Sequence, residues 1–148
     1  MRIISRREAL QLAAGTAALG AVGAPAFATP SDVAAAIAAF TGGGAAEPGK
    51  IALDLPATIE DGNSVPLSIT VDSPMQLDNY VSDILVAADD NPWPRVATFH
   101  FTPMAGRAEV STRIRLAGSQ NVVVIAKTSD GRLFTVQKHV EVTVGACS

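Results

Sequence analysis

Regular alternation of apolar and polar residues, beginning at Lys50, is the feature that most constrains this chain. Five runs place alternate residues on one predicted face: Ile51, Leu53 and Leu55; Val65, Leu67, Ile69 and Val71; Ala97, Phe99 and Phe101; Ala108, Val110, Thr112, Ile114 and Leu116; and Phe134, Val136, Val140, Val142 and Val144. A period of two is that of a β-strand with one buried face. Alternation repeated this often predicts an all-β fold, an immunoglobulin-like antiparallel β-sandwich of about seven strands.

Two segments, residues 80–88 and 122–126, are apolar on both predicted faces. In an antiparallel sheet this pattern indicates that the face usually exposed to water is covered. The cover could be a loop or an N-terminal helix of the same chain, or it could be another subunit. The pattern alone favours neither.

A short amphipathic helix is predicted over residues 30–40, ahead of the sandwich. Ser31 and Asp32 are candidate caps for it. Three apolar residues follow at helical spacing: Val33, Ile37 and Phe40. Residues 41–49 hold four glycines and a proline, which predicts a flexible or turn-rich connection.

The first 28 residues have the order of a secretory signal: basic residues, an apolar run, and the small-x-small sequence Ala26, Phe27, Ala28. Paired Arg6 and Arg7 indicate the twin-arginine type, and the apolar run is shorter than the roughly 20 residues of a membrane span. We expect cleavage after Ala28, a periplasmic location and no membrane attachment afterwards. The chain then divides into a signal peptide (1–28), a helix and glycine-rich linker (29–49), a sandwich domain (50–144) and a C-terminal arm (145–148).

Charge narrows the choice of partners. Without its signal the chain carries 8 basic and 13 acidic residues, a net charge of −5. This balance argues against nucleic acid or anionic lipid as a partner. Arg113 and Arg115 share the polar face of one predicted strand, where they could attract an anion or be ordinary surface charges.

Few residues are candidates for catalysis or metal binding. His100 and His139 lie on the polar sides of their predicted strands, and neither has metal-ligand spacing with another histidine or cysteine. The adjacent Asp89 and Asp90 could bind a cation but are more typical of a solvated turn. The sequence has no nucleophile elbow, phosphate-binding loop or dinucleotide fingerprint. We therefore expect no active site, metal or cofactor on this chain.

Cys147, second from the C-terminus, is the only cysteine. It has no partner for an intramolecular disulfide, and a solitary thiol is a liability in an oxidising compartment. The functional interpretation is that the thiol is presented to another protein. The alternative is an incidental cysteine on an immunoglobulin-like binding module.

Seven segments resemble the SoxY family in this order: IALDLP (51–56), EDGNSVP (60–66), NPWP (91–94), ATFHF (97–101), STRIRLA (111–117), SQNV (119–122) and VTVGAC (142–147). SoxY is the sulfur carrier subunit of the bacterial thiosulfate-oxidising Sox system. The resemblance covers nearly all of the chain after the glycine linker.

This resemblance implies a carrier subunit and not an enzyme. Thiosulfate-derived intermediates would be held covalently on Cys147 and presented to periplasmic Sox enzymes. It implies a c-type haem enzyme, a sulfate-releasing hydrolase and, in some organisms, a sulfane dehydrogenase as transient partners. It also implies a heterodimer with SoxZ, another immunoglobulin-like protein, which would explain the two segments that are apolar on both faces.

The C-terminal arm departs from the family pattern, which usually reads Gly-Gly-Cys-Gly-Gly. Gly145 and Cys147 match it, Ala146 and Ser148 replace glycines, and one terminal residue is missing. Alanine and serine restrict backbone freedom that glycine allows. A SoxY-like carrier for another exported oxidation pathway therefore stays open as an alternative.

Overall fold

A computed structural model describes residues 26–143. Its elements, in chain order, are α1 (Pro30–Thr41), β1 (Glu47–Pro48), β2 (Ile51–Asp54), β3 (Thr58–Ile59), β4 (Val65–Val71), β5 (Val81–Ala88), β6 (Arg95–His100), a 3-10 turn (Pro103–Ala105), β7 (Ala108–Ile114), β8 (Gln120–Thr128) and β9 (Leu133–Val142). The predicted all-β, immunoglobulin-like architecture with one short helix is confirmed.

The strands form two sheets. The smaller sheet has the order β2-β4-β7, and the larger has the order β1-β9-β8-β5-β6, with β3 also paired to β9. All pairings among the seven longer strands are antiparallel. The fourth of these strands, β6, pairs with β5 in the larger sheet, so the sandwich divides into three strands and four.

Alternation explains which residues form the core. On β4, Val65, Leu67, Ile69 and Val71 are buried, and the residues between them face outward. Buried residues of β5 and β8 pack against them from the larger sheet. Each apolar side chain that is fully buried in this way contributes about 1.5–3 kcal/mol.

Two short strands were not predicted. β1 and β3 have two residues each and pair in parallel with β9, at Phe134 and Thr135 and at Glu141 and Val142 respectively. Two residues are too few for alternation to be recognised in the sequence. Together they cover both ends of the outer edge of β9, which limits edge-to-edge association there.

The predicted helix is present as α1, with a different cap. Thr29 is the N-cap, and it forms a capping box with Asp32, while Pro30 occupies the first turn. At the other end, Gly42 adopts the left-handed conformation (φ 69°) that closes many helices. Within residues 26–143, no helix is long and apolar enough to cross a bilayer.

Helix α1 covers the outer face of the larger sheet. Leu85 on β5, Ile125 on β8 and Leu133 on β9 are buried there, packed against Ile37 and Phe40 of the helix. The two segments that are apolar on both faces are therefore covered by their own chain. This face no longer argues for a second subunit.

Candidate functional site

The predicted carrier residues, Gly145, Ala146, Cys147 and Ser148, lie outside the described residues. The structure does describe the strand that leads to them. β9 ends at Val142, and Thr143 is the last described residue. The candidate site is therefore built from the end of the sandwich at which β9 finishes.

Hydrogen bonds to two neighbouring segments fix the end of β9 as far as Thr143. The Thr143 N–H and hydroxyl donate to the Ile59 carbonyl at 2.8 and 3.2 Å, and the Val142 N–H donates to the Ser119 hydroxyl at 2.9 Å. Cys147 follows Thr143 by four positions. At roughly 3.3 Å per residue, those four positions span at most about 13 Å from this fixed point.

Asn91 organises the loops at the same end. Its side chain is buried, its Oδ1 accepts from the Ala117 N–H (2.9 Å) and Gln120 Nε2 (3.0 Å), and its Nδ2 donates to the Arg115 carbonyl (3.0 Å). The Asn91 carbonyl also accepts from the Ala28 N–H at 2.7 Å. The side chain thereby makes three of the four hydrogen bonds that an amide can form.

One loop, residues 115–119, connects this asparagine to the end of β9. Its Ser119 hydroxyl bonds to Val142, and other residues of the loop bond to Asn91. The loop between β5 and β6, residues 89–94, is consequently fixed relative to the strand that leads to Cys147.

A groove of about 420 Å³ opens between β6 and β7 at this end; we call it the β6/β7 groove. Apolar, half-buried side chains lie along β6: Val96, Ala97 and Phe99. Exposed side chains surround them: Trp93, Arg95, Arg113 and Arg115. Arg113 and Arg115 were predicted from the sequence as a possible anion-attracting pair, whereas Arg95 and the exposure of Trp93 were not predicted. A tryptophan between two prolines was the one available signal.

Asp61 lies near Arg115 on this end of the sandwich. The pKa of Asp61 is below its usual range, because the backbone N–H and side-chain amide of Asn63 donate to its carboxylate and Arg115 adds a smaller effect. The Asp61 carboxylate therefore stays ionised, but it does not form an ion pair with Arg115.

The two histidines are not brought together. His100 on β6 lies 2.5 Å from the Asp83 carboxylate, and His139 on β9 lies 3.1 Å from the Asn121 side-chain oxygen. Both histidines are exposed, and β5 and β8 separate their two strands in the larger sheet. The two carboxylate oxygens of Asp89 accept hydrogen bonds from the backbone N–H and the side-chain amide of Asn121, which fits the interpretation of Asp89 as a turn residue. Across the part of the chain that the structure describes, no three His, Cys, Asp or Glu side chains are grouped as metal ligands.

Comparison with known proteins identifies the family. The family model of the sulfur oxidation protein SoxY matches residues 37–147. The chain belongs to the SoxY family. The match begins within α1 and extends to Cys147, so it includes both the described sandwich and the cysteine. No curated protein sequence matches the chain.

Solved structures agree with this assignment. The sulfur carrier protein SoxY from Chlorobium limicola f thiosulfatophilum has 29% identity and a TM-score of 0.64, covering 76% of this chain and 92% of that one. The superoxide reductase (neelaredoxin) from Ignicoccus hospitalis, at 14% identity and a TM-score of 0.57, covers 78% and 94%. The superoxide reductase from Nanoarchaeum equitans, at 10% identity and a TM-score of 0.55, covers 65% and 100%. The two reductases share the fold alone.

Proposed function

We propose that this chain is a sulfur carrier that holds thiosulfate-derived intermediates covalently on Cys147 and presents them to periplasmic Sox enzymes. One observation carries the proposal: the only cysteine lies inside the SoxY family match, four positions after Thr143. Such a thiol is tethered to a packed domain by a short segment. The solved SoxY that this chain resembles is described as a sulfur carrier protein, which supports the same role.

Loading joins thiosulfate to the thiol by oxidation. The Cys147 thiol and thiosulfate together lose one proton and two electrons, and an S–S bond forms between Sγ and the outer sulfur of thiosulfate. A c-type haem enzyme accepts the two electrons. The thiolate is the reacting form, and its access governs the rate.

Unloading leaves sulfur on the carrier. Water attacks the sulfonate sulfur in a sulfate-releasing hydrolase, the S–S bond to that sulfur breaks, sulfate departs and a persulfide remains on Cys147. In organisms with a sulfane dehydrogenase, that enzyme accepts six electrons from the outer sulfur while three water molecules supply its oxygen atoms and six protons are released, and the S-sulfonate so formed undergoes another hydrolysis. The carrier supplies no catalytic group to these steps, but tethering raises the effective concentration of each intermediate for the next enzyme.

The proposal includes a partner subunit and a cellular location. The carrier works as a heterodimer with a SoxZ-like subunit, in the periplasm. Twin-arginine signals export folded proteins, which suits a domain whose single cysteine leaves it to be held together by packing.

Intact mass of the protein from cells oxidising thiosulfate tests the carrier role. We expect adducts with the mass of a thiosulfonate or of added sulfur atoms, all on the C-terminal peptide. The control is Cys147→Ser, which should lose every adduct and all carrier activity while keeping the wild-type unfolding midpoint. An unmodified chain during continued thiosulfate oxidation would contradict the role.

The altered arm supports one alternative, a SoxY-like carrier for a different exported oxidation pathway. Ala146 and Ser148 reduce the backbone freedom of the segment around the thiol, so they suit a partner cleft of another shape. The same measurement separates the two functions. Adducts that form with another sulfur compound and never with thiosulfate would select the alternative.

A further inference from the structure

The β6/β7 groove carries three arginines that form no ion pair among the described residues, although the Asp61 carboxylate lies near Arg115. Arg95, Arg113 and Arg115 form no ion pair with a carboxylate in residues 26–143, and no acidic residue lines the groove. The chain as a whole has a formal net charge of −3, so this cluster opposes the overall balance. A local positive potential of this kind favours an anionic partner.

Trp93 is held in an exposed position beside these arginines. It is the only tryptophan of the chain, and it is 78% exposed. Pro92 and Pro94 restrict the backbone on either side, and the buried Asn91 fixes the loop by its three side-chain hydrogen bonds. A loop whose backbone is already fixed loses less conformational entropy when a partner binds the aromatic side chain it carries.

Both strands that border the groove have an unpaired edge. β6 and β7 each end the strand order of their sheet among the described residues, whereas the outer edge of β9 is partly covered by β1 and β3. An unpaired strand edge offers backbone donors and acceptors to another chain. The groove therefore combines charge, an aromatic anchor and free backbone groups.

A second open cavity, of about 540 Å³, lacks this combination and serves as a comparison. It lies near Lys50 and Arg107, but Asp72 and Glu109 also line it, and no aromatic residue does. Positive and negative charges are mixed there, so it has no comparable preference for an anionic partner. Arg107 consequently provides a matched control for the arginines of the β6/β7 groove.

We infer that the β6/β7 groove is the docking surface for a partner enzyme that presents carboxylates beside an apolar side chain. Tryptophan and arginine are the residues most enriched at interface hot spots. An open surface lined by charged residues suits transient association better than a permanent dimer. A single small oxyanion is a weaker candidate, because exposed arginines around an open groove are well screened.

Position adds a functional reason that rests on the proposed carrier role. The groove lies at the end of the sandwich where β9 finishes, and residues 115–119 connect its Trp93 loop to Val142. An enzyme docked there is on the same end of the molecule as the chain that continues to Cys147. Docking would then raise the encounter rate between thiol and enzyme without adding a catalytic group.

Loading kinetics of the carrier in its heterodimer with the SoxZ-like subunit, measured with the purified c-type haem enzyme, test the inference. We expect Trp93→Ala and Arg115→Glu to raise the KM for the carrier by tenfold or more while kcat changes less than twofold, because docking and not chemistry is lost. The matched controls, Leu77→Ala at another exposed apolar residue and Arg107→Glu, should stay within twofold of wild type. Wild-type KM should rise with NaCl, and that dependence should weaken in Arg115→Glu.

A label on the single tryptophan separates docking from loading. The carrier with 5-fluorotryptophan has one ¹⁹F resonance, which should shift or broaden saturably when the haem enzyme is added, even in Cys147→Ser. Groove variants that load like wild type, no saturable change on adding the enzyme, or an equal change on adding thiosulfate alone would overturn the docking surface. An absent adduct on wild-type Cys147 with an intact ¹⁹F response would instead contradict the carrier function.

Discussion

In sequence, the helix-covered face of the larger sheet has the apolar pattern of a partner surface, and the β6/β7 groove does not. In the structure, α1 covers that face, whereas the groove is open. The covered face is built from β5 and β8, whose residues are apolar on both sides, and Leu85 and Ile125 are buried on it by α1. The groove lies between β6 and β7, whose sequences alternate in the ordinary way, yet it exposes Trp93 and arginines that form no ion pair among the described residues.

This difference shows that the number of apolar residues is a poor guide to partner surfaces. From the sequence, the apolar residues at Leu85 and Ile125 were as consistent with a subunit interface as with cover by the same chain, and 12 residues of helix cover them. A partner surface has to remain soluble before it binds, so charged residues around one ordered aromatic ring are a better indication. If this is correct, truncation at the covered face should reduce stability, and truncation at the groove should reduce binding.

The largest expected effect is on the covered face. Leu85→Ala removes a fully buried side chain between β5 and α1, so we expect a loss of about 2–5 kcal/mol in the free energy of unfolding. The matched control is Leu77→Ala, at a residue that is 89% exposed, with a change within about 0.5 kcal/mol. Urea denaturation measures both. Equal small losses would mean that α1 does not pack on this face in solution.

The next largest effect on stability is expected at Asn91, whose hydrogen bonds fix the loops beside the groove. Asn91→Ala leaves the Ala117 N–H, Gln120 Nε2 and the Arg115 carbonyl without their partner, so we expect a loss of about 2–3 kcal/mol. Asn79→Ala, at an exposed position, should change stability by less than about 0.5 kcal/mol.

Anisotropy of Trp93 fluorescence links that loss to the groove. Because Trp93 is the only tryptophan, its anisotropy reports this loop alone. The value should fall in the folded Asn91→Ala variant and stay unchanged in Asn79→Ala. Lower stability with unchanged anisotropy would show that the order of Trp93 does not depend on Asn91.

The sequence was sufficient for the fold wherever a pattern repeats. Val65, Leu67 and Ile69 alternate over a whole strand, and each of them is buried as predicted. β1 and β3 were missed because a strand of two residues is too short to show alternation. Their pairing also depends on where the two ends of β9 lie in the fold. Thr29 was missed as the helix cap because Ser31 and Asp32 are also good capping residues, and only the backbone decides among them.

For the candidate site, composition and resemblance identified Cys147, but neither could identify the groove. Arg95 begins β6 close to Trp93, whereas Arg113 and Arg115 lie at the end of β7, and only the sandwich brings these two strands together. The arginines' lack of carboxylate partners is likewise a property of the fold and cannot be read from the net charge. Contacts between edges of two sheets are non-local, so no local pattern encodes them.

The smallest expected effect is the pH dependence of the cap that begins α1 and so anchors the covered face. The pKa of Asp32 is below its usual range, because the hydroxyl and then the backbone N–H of Thr29 donate to its carboxylate, each at 2.7 Å. A carboxylate with a lowered folded-state pKa adds stability above the unfolded value, about 3.9 for aspartate, and loses it as the pH falls through the folded value. The contribution should therefore be constant from pH 7 to 5 and decline below about pH 4. Asp61 and Asp130 also have lowered pKa values, with the same sign, so the wild-type curve alone does not isolate Asp32.

A double-mutant cycle of Thr29→Ala and Asp32→Asn does isolate it, because the coupling energy between the two positions cancels every group that both variants retain. We expect favourable coupling at pH 7 that approaches zero toward pH 3, measured as free energies of unfolding in urea. The variants change only the side chains of Thr29 and Asp32 and keep the Ala28 N–H that donates to the Asn91 carbonyl, so neither should alter the ¹⁹F response of Trp93 to the haem enzyme. Coupling that persists unchanged at pH 3 would contradict the ionised capping box, and an altered Trp93 response would show that the covered face and the groove are not independent parts of the molecule.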